Sequence, residues 1–118
     1  MNNITNSKNT ALTTWEWRQK GGVFISPAKM RTSHLFHTLQ MIWNNSSDAQ
    51  YRVGNVRLYA FDPYYTRERM LEAVAHLGAE LLTRNDISLA HLRLLNQMQA
   101  HWLNRTGLTF AQGALIKC

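Results

Sequence analysis

Arginine is the residue of this sequence best suited to chemistry. Nine of the 13 basic residues are Arg, against 7 Asp and Glu, and the formal net charge is +6 with a pI near 10.0. A guanidinium offers a rigid fork of donors for phosphates, carboxylates and base edges, and it stacks on aromatic rings. Carboxylates are scarce towards both ends, since residues 1–47 hold only Glu16 and residues 87–118 hold none. This pattern favours an anionic partner, although the same charge also keeps a small protein in solution.

Cations and aromatic side chains are interleaved near the start of the chain, as in platforms that bind single strands of nucleic acid. Trp and Arg are also common anchors at protein interfaces, so both partner classes stay open. The predicted aromatic partner contacts are Trp15, Trp17, Tyr64 and Tyr65, and the cations and imidazoles of the interleaved segment are Arg18, Lys20, Lys29, Arg31, His34 and His37.

A glycine-asparagine turn organises a second pair of arginines. Gly54 and Asn55 form a two-residue loop with Gly first, which suits a type II′ hairpin. In that register Arg52 faces Arg57 across the ladder, and like charges in that position repel unless an anion or solvent screens them. The sequence therefore predicts either an anion-binding pair or an inert, solvated pair.

A polar face follows the third predicted helix, opposite a stripe of Leu, Met and Trp. Such a face reads bases and phosphates when the second helix of a helix-turn-helix enters the major groove. A plain αα-hairpin with a solvated face explains the same residues. The second predicted helix is also longer than the first helix of a helix-turn-helix. The face consists of Arg93, Asn96, Gln97, His101 and Asn104. The anion-binding residues predicted from the whole sequence are Arg18, Lys20, Arg31, Arg52, Arg57, Arg93 and Asn96.

Metal and nucleophile chemistry have little support. His34 and His37 are spaced to share a helix face, and so are Glu72 and His76 with Glu68 one turn earlier, but neither set has an evident third or fourth ligand. The sequence has no Gly-x-Ser-x-Gly motif and no phosphate-cradling glycine loop, and its lone Cys118 is the final residue. We predict no metal, no cofactor and no catalytic residue. A metal-assisted enzyme stays as a third hypothesis, which predicts divalent metal in the purified protein.

The elements that must position these residues begin with a hairpin. Residues 15–26 alternate in period two around a glycine pair, and a three-residue loop pairs Trp17 with Ile25. A single helical turn closed by Gly21 is the alternative.

Three helices are predicted after this hairpin. They run from a cap at Thr32 or Ser33 to residues 44–47, from Asp62-Pro63 or Thr66 to near Arg84, and from a cap at Asp86 or Ser88 to a stop before Gly107. The fold class is α+β, with two β-hairpins and three helices in the order ββαββαα, and helices two and three form an antiparallel pair. The predicted core is Phe36, Leu39, Ile42, Trp43, Val53, Leu58, Val74, Leu77, Leu81, Leu92, Leu95, Met98 and Trp102.

A chain of 118 residues suits one domain, predicted over residues 13–118 behind a mobile tail of residues 1–12. No apolar run reaches the roughly 18 residues of a membrane helix, and the first residues lack the order of a secretory signal. A single cysteine allows no internal disulfide. We expect a cytoplasmic protein that does not contact a membrane.

The leading hypothesis for function is a non-enzymatic basic module that docks on nucleic acid or a nucleoprotein surface. Phosphate contacts would supply the affinity, so binding should weaken steeply with salt. The alternative is a small inhibitor or adaptor, like accessory proteins of phages and mobile elements, that binds an acidic protein surface. Its exposed aromatic anchors would give binding with little salt dependence.

Overall fold

One short hairpin and four helices make up residues 15–116, the part of the chain that the computed structural model describes. The elements are β1 (Trp17–Arg18), β2 (Phe24–Ile25), α1 (Thr32–Ser46), α2 (Arg67–Leu81), α3 (Leu89–Thr106) and α4 (Phe110–Ile116), with 3-10 turns at Pro27–Lys29 and Ala49–Tyr51. The predicted tail, residues 1–12, and Cys118 lie outside the described residues. Among the helices of residues 15–116, none is long and apolar enough to cross a lipid bilayer.

The register predicted for the first hairpin is confirmed. β1 and β2 are antiparallel with Trp17 opposite Ile25, and the Gln19 N–H donates to the Val23 carbonyl at 2.8 Å. The loop turns through a pair of glycines with φ of 93° and 90°, a backbone region that glycine adopts without strain. The alternative of a helical turn is therefore wrong.

The second predicted hairpin is wrong, because side chains of α1 hold the backbone of that segment. The Asn44 amide donates to the Val53 carbonyl at 3.0 Å and accepts from the Val53 N–H at 2.9 Å. Asn45 Oδ1 accepts from the Tyr59 N–H at 2.8 Å. Backbone groups that find these partners need no opposing strand.

Two corrections to the predicted architecture follow from this. Arg52 and Arg57 do not face each other across a ladder, since residues 52–60 form no strand. The order ββαββαα is also wrong, because a single two-stranded sheet precedes four helices in the described part of the chain. Leu58, predicted for the core on the basis of that hairpin, is exposed.

The boundaries of α2 and α3 follow their capping residues. Thr66 accepts from the Arg69 N–H at the start of α2, and Ser88 accepts from the His91 N–H at the start of α3. Both residues were among the predicted caps. Gly107, with φ of 74°, ends α3 as predicted.

The last helix, α4, was not predicted. Thr109 N–H donates to Gln112 Oε1 at 2.9 Å, and Gln112 N–H donates to Thr109 Oγ1 at 3.1 Å. This reciprocal pair is a capping box, which the sequence shows as Thr followed three residues later by Gln. Phe110 of α4 is buried against α2, where a Cβ added at Gly78 would lie 2.5 Å from the Phe110 ring. Glycine at position 78 is what lets α4 pack so closely.

Helix α2 is the centre of the core. It packs against α1 and α4, so the predicted pairing of α2 with α3 is wrong, and α3 joins the core through Leu95, Met98 and Trp102. Most predicted core residues are buried, namely Phe36, Leu39, Ile42, Trp43, Val53, Val74, Leu77, Leu81, Leu95, Met98 and Trp102, while Leu92 is half-buried.

Candidate nucleic-acid interface

An open groove of about 700 Å³ lies between the hairpin and the segment after Val53, with α1 along it from His34 to Asn44. The volume falls within the range of about 300–1,000 Å³ that ligand clefts occupy. Its lining is Trp17, Gln19, Lys20, His34, His37, Thr38, Gln40, Met41, Asn44, Asn55, Val56, Arg57 and Tyr59.

Each wall of the groove is fixed by a local feature of the sequence. Lys20 stands in the tight loop of the hairpin, which the glycine pair allows. On the opposite wall, the Val53 carbonyl accepts from Gln40 as well as from Asn44. These hydrogen bonds fix the start of the segment that carries Arg57. The buried amide of Asn44 thus fixes the position of one wall, and the glycine turn fixes the position of the other.

Two imidazoles project from α1 into the groove. His34 and His37 are three residues apart and exposed, so they share one face of the helix. The Nδ1 atom of His37 lies 2.8 Å from the Ser33 carbonyl. Because a carbonyl only accepts, Nδ1 carries the hydrogen and Nε2 is left for another partner.

The charge of the groove is positive. Its lining holds Lys20, Arg57 and the two imidazoles but no carboxylate. Neither Lys20 nor Arg57 makes a hydrogen bond or ion pair with any residue in 15–116, and both are exposed. Helix α1 has no acidic residue of its own in its first turn, and the carboxylate at its N-terminal end is that of Asp86, which accepts from Thr32 Oγ1 at 2.6 Å. The groove can therefore attract an anion with side chains that have no internal partner.

Arg18, although only two residues from Lys20, is occupied inside the molecule. It donates to the Tyr65 hydroxyl at 3.1 Å and forms an ion pair with Asp62 at 3.4 Å. Its guanidinium also lies over the Tyr64 ring, 4.6 Å from the centroid. The guanidinium of Arg69 also lies over the Tyr64 ring, 4.1 Å from the centroid. We call these five residues, Arg18, Asp62, Tyr64, Tyr65 and Arg69, the arginine-tyrosine cluster.

The other predicted anion-binding residues do not join the groove. Arg52 is half-buried and donates from Nε to the Asn44 carbonyl at 3.1 Å. Arg31 is exposed just before α1, and Arg93 and Asn96 are exposed on α3. Of the seven predicted residues, only Lys20 and Arg57 line the groove.

The predicted aromatic contacts are mostly covered by the protein itself. The Trp15 ring is stacked on His76, with centroids 4.6 Å apart and planes 2° apart. Trp17 is buried and forms part of the groove lining. Tyr65 donates its hydroxyl hydrogen to the Arg18 carbonyl at 2.8 Å. The exposed aromatic ring in the groove is Tyr59, which the sequence analysis did not select.

Two histidines outside the groove lining have pKa values below the ordinary range. Burial lowers the pKa of His76, and the nearby carboxylate of Glu72 offsets part of that effect. Burial also lowers the pKa of His91, which is stacked on Phe36, and the positive charge that His37 can carry lowers it further. Neither pair proposed for metal belongs to a larger set, since no three or more potential ligands come together within residues 15–116.

No protein-family model, curated protein or solved structure matches this sequence or its fold. The groove and its charges are therefore the basis for any statement about function.

Proposed function

We propose that this protein is a non-enzymatic module that binds single-stranded nucleic acid along the groove. The observation that carries the proposal is the lining itself, in which Lys20 and Arg57 stand unpaired on opposite walls with no carboxylate between them. Nucleic-acid affinity comes mainly from such cations, because each phosphate they neutralise releases a counterion.

The groove also offers contacts for bases. Tyr59 is 49% exposed, and its backbone N–H donates to Asn45, so its ring is available in the groove. Stacking of a base on an aromatic side chain contributes about 1–3 kcal/mol and tolerates any base. The amide side chains of Gln19 and Asn55 add donors and acceptors for base edges.

A single strand suits this geometry better than a duplex. The walls and aromatic ring form a concave site, and a strand can place an unpaired base in it, whereas the bases of a duplex are stacked inside. The helix face that would enter a major groove carries Arg93 and Asn96 on α3, and neither residue lines the groove. We propose that the protein acts in the cytoplasm.

The test is the salt dependence of binding to a fluorescently labelled oligothymidylate of about ten nucleotides. Two phosphate contacts predict that log K falls with log salt at a slope of about −1.4, since each contact on a single strand contributes about 0.7. Lys20→Gln and Arg57→Gln should each reduce the steepness by about 0.7. The matched control is Arg93→Gln, because Arg93 is an exposed arginine outside the groove.

Three results would contradict the proposal. They are a slope that does not change in Lys20→Gln or Arg57→Gln, tighter binding to the duplex of the same length, and no binding at low salt. A protein partner whose capture does not depend on salt would support the inhibitor or adaptor alternative. The structure gives that alternative less support, because Tyr64 and Tyr65 are already covered by Arg18.

A further inference from the structure

The imidazoles of His34 and His37 have no assigned role in the proposed contacts. Both are exposed, both line the groove, and both sit on the face of α1 that lies between the two cationic walls. Histidine is the side chain whose charge ordinarily changes between about pH 5 and pH 8. A phosphate held between the two walls would therefore lie beside these two imidazoles.

We infer that His34 and His37 make nucleic-acid binding dependent on protons, so that the groove holds phosphates more tightly in mildly acidic solution than in neutral solution. This inference rests on the proposed function of the groove. When an imidazole in the groove is protonated, it becomes a further donor and a further positive charge for a phosphate oxygen.

The groups around the imidazoles support this. His37 faces the Ser33 carbonyl on its own helix and the ring of His91 on α3, whose centroid is 5.0 Å away. The other charged groups of the lining are Lys20 on the hairpin and Arg57 on the opposite wall. The lining has no carboxylate, and the nearest negative charge identified on α1 is Asp86 at the Thr32 hydroxyl, so a bound phosphate would bring negative charge into the groove itself.

The hydrogen bond of His37 suits it to this role. Nδ1 donates to the Ser33 carbonyl, so a proton added to the ring enters at Nε2 without breaking that bond. His91 differs from His37, because it is half-buried and stacked on Phe36 at 4.0 Å. Burial lowers the pKa of His91, and the neighbouring His37 lowers it further.

Linkage makes the consequence measurable. If binding a phosphate favours a proton on the imidazoles, then adding protons must favour binding by the same factor. An uptake of one proton per complex gives about a tenfold rise in affinity for each pH unit over which the uptake holds. The phosphodiester and thymine do not titrate in this range, so the proton must be taken up by the protein.

The experiment measures the affinity for oligothymidylate between about pH 5.5 and about pH 8 at constant ionic strength. We expect about a tenfold increase in affinity for the unmodified protein towards the acidic end. His34→Gln and His37→Gln should each reduce this increase, and the double variant should abolish it. His101→Gln is the control, since His101 lies outside the groove beside Tyr51.

A second measurement counts the protons directly. Calorimetric titration in two buffers with different heats of ionisation reports proton uptake per complex, and we expect uptake in the unmodified protein and none in the double variant. Binding that is independent of pH, or a pH dependence that persists in the double variant, overturns this inference and leaves the proposed function standing. No binding at any pH overturns both.

Discussion

Arg18 and Lys20 are two residues apart on the same hairpin, yet they belong to regions with opposite properties. The guanidinium of Arg18 contacts a carboxylate, a hydroxyl and an aromatic ring of its own chain. The ammonium group of Lys20 stands in a groove without a carboxylate. The arginine-tyrosine cluster holds the fold together, whereas the groove is open to another molecule. What separates them is the supply of internal partners rather than the type of cation.

Whether a cation of the hairpin has an internal partner depends on the part of the chain that lies beside it. Arg18 meets the loop before α2, which brings Asp62 and the tyrosine pair. Lys20 lines the groove beside α1, whose own first turn has no acidic residue. A cation is available for binding another molecule where the neighbouring element of its own chain has no carboxylate or hydroxyl that pairs with it.

The largest expected effect tests how the groove wall is held. Asn44→Ala should lower the free energy of unfolding by about 3 kcal/mol, because it leaves the buried Val53 N–H without its partner and removes a bond to the Val53 carbonyl. Asn45→Ala is the control, since its bond to Tyr59 is exposed, and should cost about 1 kcal/mol. Denaturant unfolding measures both. Equal losses would contradict the special role of Asn44.

A smaller loss of stability is expected in the arginine-tyrosine cluster. Tyr65→Phe removes a hydroxyl that accepts from Arg18 and donates to the Arg18 carbonyl, so the unfolding free energy should fall by about 1.5 kcal/mol. Oligonucleotide affinity should stay within about twofold at low salt. A large loss of affinity in a folded variant would place this cluster in the binding site and remove the contrast with the groove.

In the groove we expect the opposite result, a loss of affinity with little loss of stability. Arg57→Gln should weaken oligonucleotide binding about fivefold, roughly 1 kcal/mol, by removing one phosphate contact. The unfolding free energy should change by less than about 0.5 kcal/mol, because Arg57 is exposed and makes no hydrogen bond within residues 15–116. Anisotropy titration and denaturant unfolding on the same preparation give both values. A destabilised variant would show that Arg57 has an internal partner.

The smallest expected effect concerns pH. The pKa of His76 is lowered by burial, so below about pH 6.5 the unfolded chain binds more protons at this residue than the folded chain. Stability should therefore fall as the pH falls from about 6.5 through the lowered pKa. His76→Phe keeps a ring beside Trp15 and removes the titration, so the unfolding free energy should depend less on pH. An unchanged slope would assign the acid sensitivity to His91 or to other groups.

Local signals in the sequence predicted α1, α2, α3 and the first hairpin, but not α4. Thr66, Ser88 and Gly107 mark helix ends through bonds and dihedral angles that involve only near neighbours. The second hairpin could not be predicted correctly in this way. Its turn glycine has positive φ, but the partners of the backbone are amides of Asn44 and Asn45, which precede it in α1. The asparagines were interpreted as the end of a helix, which they are, while their side chains also bind the next segment.

The candidate site was predicted only in part for the same reason. Composition and spacing selected Lys20 and Arg57 along with Arg18 and Arg52, because nothing in the sequence separates a free guanidinium from an occupied one. Their partners, Tyr65 for Arg18 and the Asn44 carbonyl for Arg52, come together only in the fold. Tyr59 was missed because the wrong hairpin made it an ordinary strand residue. A single sequence gives the inventory of cations, and the tertiary contacts decide which of them can bind.

The most direct test of the contrast between the groove and the arginine-tyrosine cluster is a titration of isotopically labelled protein with oligothymidylate, followed by backbone amide chemical shifts. We predict that the largest changes occur at Lys20, His34, His37 and Arg57, with Arg18 and Tyr64 little affected. Changes confined to the arginine-tyrosine cluster, or to the α3 face around Arg93 and Asn96, would contradict the assignment of the groove as the binding site.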